Sequence, residues 1–199
     1  IIYFFYICAK LIGITNSRKI FGYLFLKIAP FFKSKKIISK NLKIFEKDMS
    51  EEKKDMIINC MWKNYGMTFA EYIFLDRFRK GNSYVEVIGK EHIEKINRNN
   101  KPVIFVSGHF ANFELMSMEI TKSNFNLATI YRPLNNFFLN PLMEFLRRKY
   151  VCKNQIKKGI NGVREAIEYI KNDFSIALMI DQRVSEGELI DFFGKPALT

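Results

Sequence analysis

The chain has 199 residues, a net charge of +12 and 48% hydrophobic residues, including twenty phenylalanines. This length allows one domain with a sizeable core, and the positive charge predicts an anionic partner: nucleic acid, anionic lipid or an acidic carrier protein. Cys8, Cys60 and Cys152 are far apart and form no Cys-x-x-Cys or Cys/His cluster. Their spacing indicates neither a disulfide framework nor a zinc site, and it favours reduced thiols on the cytoplasmic side.

Two apolar runs open the chain, at residues 1–9 and 20–32, and Thr15-Asn16-Ser17 predicts a break between them. The first run is shorter than the roughly 20 apolar residues that a spanning helix needs. Lysines then alternate with isoleucine and leucine over residues 33–44, as in a basic amphipathic helix. We predict a membrane-associated helical segment over residues 1–45 and a separate domain over residues 46–199. Ordinary core helices followed by solvated lysines are the alternative.

A long helix is predicted from Ser50, because Glu51 and Glu52 suit its first turn. Apolar residues recur along it at helical spacing, and we expect them to form its core face: Ile57, Met61, Tyr65, Phe69 and Tyr72 or Ile73. The pattern next predicts a strand over residues 84–88 and a short helix over residues 90–96. His92 lies on that helix among charged residues, which indicates a surface position.

The stretch PVIFVSGHFANFE, residues 102–114, carries the main chemical signal. Its apolar run, residues 103–106, predicts a buried strand, and Asn112 is a plausible cap for a helix that contains Glu114. His109 lies in the turn between them, where α/β proteins place their chemistry. A neutral imidazole held by a carboxylate takes a proton from a hydroxyl, so the sequence predicts a general base. A polar surface histidine is the alternative.

Strands and helices continue to alternate in the second half of the chain. Strands are predicted over residues 126–130 and 175–180, and helices over residues 137–150 and 159–170. This alternation is typical of an α/β fold with a mostly parallel central sheet and helices on both faces. His109, Arg132 and Asp181 each follow a strand, so we expect all three side chains at the carboxyl ends of the strands.

Four motifs follow one another along the chain: the His-x4-Glu of His109 and Glu114, the Tyr131-Arg132-Pro133 sequence, Asp181-Gln182, and Phe192-Phe193-Gly194-Lys195-Pro196. In this order they resemble the motifs of the lipid A biosynthesis acyltransferases of the late, lauroyl- or myristoyl-transferring type, which are related to glycerolipid acyltransferases. The resemblance covers nearly the whole chain. It implies a longer protein, so we expect this chain to be a fragment.

The resemblance implies acyl transfer from an acyl-carrier-protein thioester to a hydroxyl of a phosphorylated lipid A precursor of the Kdo-lipid IVA type. It implies a location on the cytoplasmic face of the bacterial inner membrane, and no metal or organic cofactor. His109 would be the general base and Glu114 would orient its imidazole. The anionic acceptor would be bound by Arg132, by Arg147 or Arg148, and by Asp181 and Gln182, with Asp181 orienting Arg132 or the acceptor sugar.

Two other functions are compatible with the sequence. A glycerophospholipid acyltransferase would share His109, but it more often has Asp than Glu at the acidic position of the motif. A non-enzymatic protein that binds nucleic acid or membrane would account for the charge of +12. No nucleic-acid-binding motif is present in the sequence, and the lysines cluster beside the apolar runs, so we expect no nucleic-acid partner.

Overall fold

The structure is a computed structural model, and it describes residues 2–31, 35–81, 84–99, 101–181, 187–192 and 194–198. The chain forms two compact units, Ile1–Asp76 and Arg77–Thr199. The sequence analysis placed a division between residues 45 and 46, with a membrane-associated segment before it and the catalytic domain after it. That division concerns function, and it stays a prediction.

The first unit is helical. Its helices are α1 (Ile2–Ile28), α2 (Lys35–Phe45) and α3 (Glu51–Glu71), with 3-10 turns at Ala29–Phe31 and Tyr72–Phe74, and α4 (Leu75–Lys80) follows. The predicted start of α3 is confirmed, because the Ser50 side chain accepts a hydrogen bond from the Lys53 N–H. No helix in the described ranges is both long enough and apolar enough to cross a membrane.

Helix α1 is kinked at Gly13, where φ is 80° and ψ is 167°. The predicted break at Thr15-Asn16-Ser17 is therefore wrong. Glycine has no Cβ and adopts positive φ without a steric penalty, so the chain bends there instead. Ser17 lies inside the helix, and its hydroxyl donates to the Ala9 carbonyl at 3.1 Å.

Helix α3 packs on α1 through only part of the predicted face. The Phe69 ring lies 5.8 Å from the Phe21 ring and 5.6 Å from the Phe25 ring of α1, and Ile57 and Met61 are half-buried. Its buried apolar residues are Ile58, Trp62, Gly66 and Ala70. A Cβ on Gly66 would lie only 2.2 Å from the Phe21 carbonyl oxygen, so the two backbones meet closely at this glycine. Tyr65, in the predicted face, is 57% exposed. The absence of a side chain at Gly66 lets the α1 backbone approach α3 closely.

The second unit combines helices with two sheets. The helices are α5 (Lys90–Arg98), α6 (Glu114–Lys122), α7 (Asn140–Leu146) and α8 (Ile160–Lys171), and α7 leads into a π-helical turn at Arg147–Val151. The strands are β1 (Ile104–Ser107), β2 (Leu127–Tyr131), β3 (Asn154–Lys157), β4 (Ser175–Met179), β5 (Leu189–Phe192) and β6 (Lys195–Leu198).

Strands β1 to β4 form one parallel sheet in the order β1-β4-β2-β3. Ala128, Ile156 and Ile176 are its buried centre, and Ala166 of α8 packs against them. The predicted α/β fold, a parallel sheet flanked by helices, is confirmed. Because β4 lies between β1 and β2, the residues that follow these three strands are neighbours at one edge, which we call the carboxyl edge.

Three details of the second unit differ from the prediction. Residues 84–88 contain no strand among those described. Strand β3 was missed because its sequence, Asn-Gln-Ile-Lys, has no apolar run. Strand β1 was predicted as buried, but Ile104 and Val106 are 58% and 55% exposed, because β1 is the first strand in the order of the sheet.

The Phe-Phe-Gly-Lys-Pro motif, for which no local structure was predicted, lies in an antiparallel hairpin of β5 and β6. Phe192 is opposite Lys195 and Gly194 has a φ of 69°; Phe193 lies outside the described residues.

Candidate active site

The His109 side chain is held by Asp181 at the carboxyl edge. Asp181 Oδ1 lies 2.6 Å from His109 Nδ1, and Asp181 Oδ2 accepts a hydrogen bond from the His109 backbone N–H at 2.7 Å. The sheet register explains the meeting, since Ser107 of β1 pairs with Met179 of β4. His109 and Asp181 each lie two residues beyond that pair, so the parallel strands deliver them to the same place.

The protonation of this pair follows from the carboxylate. Burial alone would raise the pKa of Asp181, but the bonds from the His109 N–H and imidazole outweigh it and hold the pKa below its ordinary value of 3.8. Asp181 is therefore an ionised, acceptor-only group near neutral pH. The proton of a neutral His109 ring must then be on Nδ1, which leaves Nε2 as the nitrogen that accepts a proton.

Two neighbours fix the position of the ring. A Cβ on Gly108 would lie 2.9 Å from Phe110 Cε2 and 3.1 Å from Asp181 Oδ2, so a side chain at this position would crowd both neighbours of His109. The Phe113 ring packs edge-on against the imidazole, with 4.7 Å between the ring centroids. Phe113, rather than the predicted Asn112, is the N-cap residue of α6, and Asn112 is buried beside it.

Glu114 and Arg147 form a buried ion pair. Arg147 Nε donates to Glu114 Oε1 at 2.7 Å, and each side chain is less than 10% exposed. Glu114 begins α6, and Arg147 begins the π-helical turn after α7. Each charge is removed from water, and the cost of that desolvation is offset by the charge of the partner. The ion pair therefore connects the start of α6 to the end of α7.

Tyr131 extends this polar cluster to β2. The Arg147 guanidinium lies 5.8 Å from the centre of the Tyr131 ring, and the Tyr131 hydroxyl donates to Glu144 Oε1 at 2.9 Å. Burial and the bond to Glu144 raise the pKa of Tyr131 to about 12. Tyr131 therefore stays protonated near neutral pH and donates its hydrogen bond to Glu144. This bond fixes the end of β2, and Arg132 is the next residue at the carboxyl edge.

The other predicted site residues fall in different places. Arg132 is exposed at the carboxyl edge, directly after β2. Of the two candidate arginines on the next helix, Arg147 is buried and Arg148 is exposed. Gln182 lies outside the described residues. Within those residues, no group of three His, Cys, Asp or Glu side chains could hold a metal ion.

The contact between Asp181 and His109 was not anticipated. The sequence analysis gave Asp181 a role toward Arg132 or the acceptor sugar, and it gave the orientation of the imidazole to Glu114. That role of Glu114 stays a prediction. The sequence does show an acidic residue, Asp181, at the end of a second apolar strand. Because Asp181 is 72 residues from His109 along the chain, spacing could not predict their contact.

Comparison with known proteins decides the family. Residues 1–199 match the family model of the bacterial lipid A biosynthesis acyltransferases. The protein belongs to this family. Among its acyltransferase relatives is the lipid A biosynthesis lauroyltransferase of Escherichia coli (strain K12), which is 27% identical over 137 residues. That match covers 67% of this chain and 44% of the relative, so the chain matches less than half of the relative's length.

Proposed function

We propose that this acyltransferase-family protein moves a fatty acyl chain from an acyl-carrier-protein thioester to a hydroxyl of a phosphorylated, Kdo-bearing lipid A precursor. The contact of Asp181 with His109 Nδ1 is the observation that carries the proposal. It provides an oriented base at the carboxyl ends of the strands, where α/β proteins bind their ligands.

His109 acts first on the acceptor hydroxyl. Nε2 takes the hydroxyl proton while the oxygen attacks the thioester carbonyl carbon, and the Asp181 carboxylate stabilises the imidazolium that forms. The tetrahedral intermediate then collapses and its C–S bond breaks. The leaving thiolate takes the proton from the imidazolium, so the products are an ester and a free thiol. No covalent acyl-enzyme is needed.

The acceptor is bound by cations at the same edge. Arg132 is exposed beside the catalytic pair in strand order, and its planar guanidinium suits a phosphate or a sugar carboxylate. Glu114 and Arg147 keep α6 in place behind His109. We assign Gln182 to substrate binding, as the resemblance to the family motif implies.

We further propose that the first unit attaches the protein to the cytoplasmic face of the bacterial inner membrane. Helix α2 supports this, because exposed Ile37, Ile44 and Phe45 accompany exposed Lys36, Lys40 and Lys43. Apolar side chains entering the headgroup region and lysines facing anionic lipid would act together. Flotation with anionic liposomes tests this: Ile44→Ser should weaken binding, and unchanged flotation of that variant would contradict it.

The catalytic proposal is tested with the two histidines of the chain. The protein is incubated with a radiolabelled acyl-carrier-protein thioester and either a phosphorylated disaccharide lipid or a lysophospholipid, and labelled products are separated by chromatography. His109→Ala should lower the rate roughly a hundred- to ten-thousand-fold.

His92→Ala is the matched control, because the His92 side chain is 80% exposed. It should retain the full rate. Equal rates in the two variants would remove His109 from the mechanism. Transfer to the lysophospholipid alone would replace the proposed acceptor by a glycerophospholipid.

A further inference from the structure

A cavity of about 510 Å³ opens at the amino-terminal ends of the parallel strands, whereas His109 lies at their carboxyl ends. Its wall includes Leu127 at the start of β2, Asn154 at the start of β3 and Phe174 directly before β4. We call this the amino edge. The five residues of β2 separate it from the carboxyl edge. The cavity is therefore distinct from the proposed catalytic site.

The charge of this cavity is entirely positive. None of its lining residues is Asp or Glu, and four are cationic: Arg79, Arg148, Lys149 and Lys153. Within the described ranges, none of these four side chains forms a salt bridge with a carboxylate. Like charges gathered in a concave surface repel one another and raise the local concentration of anions.

Arg79, the least exposed of these four cations, is held in place by neutral partners. Arg79 Nη1 donates to the Thr121 hydroxyl at 2.6 Å and to the Met118 carbonyl at 3.2 Å. These bonds fix the guanidinium but leave its charge uncompensated. A fixed guanidinium presents its other N–H groups as a planar fork, which is the geometry that phosphate oxygens accept.

Aromatic rings supply the remaining wall. Phe125, Tyr150 and Phe174 are each partly exposed at the cavity, and Lys149 Nζ lies 5.3 Å from the centre of the Tyr150 ring. The volume falls in the range of small-molecule sites, roughly 300–1,000 Å³, and exceeds what one phosphate ion fills. The cavity therefore suits a phosphate group that carries an organic portion.

We propose that this cavity at the amino edge binds a phosphate ester or diphosphate, either as a soluble compound or as a lipid headgroup. The cations bind the phosphate oxygens, and the aromatic rings contact the attached organic group. Arg148, one of the two arginines predicted to bind the acceptor, lines this cavity rather than the catalytic site. The inference does not rest on acyl transfer, since the cavity lies at the amino edge and His109 at the carboxyl edge.

The experiment measures binding rather than turnover. The full chain is titrated calorimetrically with inorganic pyrophosphate and with soluble dihexanoyl phosphatidic acid, at constant ionic strength in chloride. The double variant Lys149→Gln/Lys153→Gln should bind the better of these ligands roughly tenfold more weakly. Lys90→Gln/Lys95→Gln is the matched control, because it removes the same charge from exposed positions of α5.

The proposal is supported if the cavity variant alone loses affinity, and the ligand that binds more tightly identifies the source of the phosphate. Equal losses in the two double variants would show general attraction to a chain of charge +12 and would overturn it. Absence of saturable binding of both ligands to the unmodified protein would also overturn it. Unfolding curves of both variants exclude loss of structure as the cause.

Discussion

Asp181 binds His109 at two points, the backbone N–H through Oδ2 at 2.7 Å and the ring Nδ1 through Oδ1 at 2.6 Å. One carboxylate thereby fixes both the main chain and the side chain of the same residue. The ring cannot turn about its side-chain bonds without losing the bond to Oδ1, so the direction of Nε2 is set by the sheet that carries both residues. This contact gives the first two predictions.

Asp181→Asn should lower the transfer rate roughly a hundred- to ten-thousand-fold. An amide cannot stabilise the imidazolium, and its NH2 group favours the tautomer with Nδ1 unprotonated. Steady-state rates at saturating donor and acceptor provide the measurement. Asp173→Asn is the control, because Asp173 is exposed at a φ of 63°, which asparagine tolerates. If the two variants kept the same rate, Asp181 would have no part in catalysis.

The low pKa of Asp181 predicts a definite pH dependence of stability. The unfolded carboxyl titrates near 3.8 and the folded one below it, so the stabilisation is complete above 3.8 and is lost as pH falls through the folded pKa. The free energy of unfolding in urea should exceed that of Asp181→Asn at about pH 5, and the excess should shrink by about pH 2. A constant difference over this range would contradict the assigned ionisation.

Local patterns in the sequence are enough to predict the strand-turn-helix around His109 and the strand that ends before Asp181. Apolar runs and the Ser107-Gly108 break depend only on neighbouring residues. The order β1-β4-β2-β3 is a long-range property, and it is what places Asp181 beside His109. Spacing along the chain therefore could not reveal which carboxylate contacts the imidazole.

Other differences arise where small or polar residues outweigh apolar ones. Gly66 is buried because it allows the close approach of α1, whereas the larger Tyr65 beside it is 57% exposed. Strand β3 buries Gln155 because the amide donates to the Cys152 carbonyl at 2.8 Å. A search for hydrophobic periodicity detects neither effect.

The buried pair of Glu114 and Arg147 predicts strong coupling in a double-mutant cycle. Glu114→Gln or Arg147→Met alone should destabilise the protein by about 3–5 kcal/mol, because each leaves a buried charge without its ionic partner. The double variant should recover much of that loss. Denaturation in urea gives the free energies of unfolding.

The exposed pair of Lys171 and Glu168 provides the control for this cycle, since each side chain is more than 60% exposed. Its coupling should stay below about 1 kcal/mol. Additive effects at Glu114 and Arg147 would show that the ion pair contributes nothing. A stable Glu114→Gln variant with a reduced rate would instead support the predicted role of Glu114 in orienting the imidazole.

The last prediction concerns Arg132, which follows β2 at the carboxyl edge and is exposed. Arg132→Lys keeps the charge but loses the planar fork that binds two oxygens of one anion. If Arg132 binds the acceptor, this variant should raise the Michaelis constant for the phosphorylated lipid more than it lowers turnover. If Arg132 stabilises the oxyanion of the intermediate, turnover should fall at a nearly constant Michaelis constant.

We expect acceptor binding, because strand order puts β4, and therefore Asp181, between His109 and Arg132. That arrangement sets Arg132 aside from the reacting carbonyl and toward the more distant anions of the acceptor. Kinetics of Arg132→Lys and Arg132→Ala at saturating donor separate the two roles, with Arg98→Lys on the exposed end of α5 as the control. Kinetics in both Arg132 variants that match the control would identify Arg132 as an ordinary surface residue.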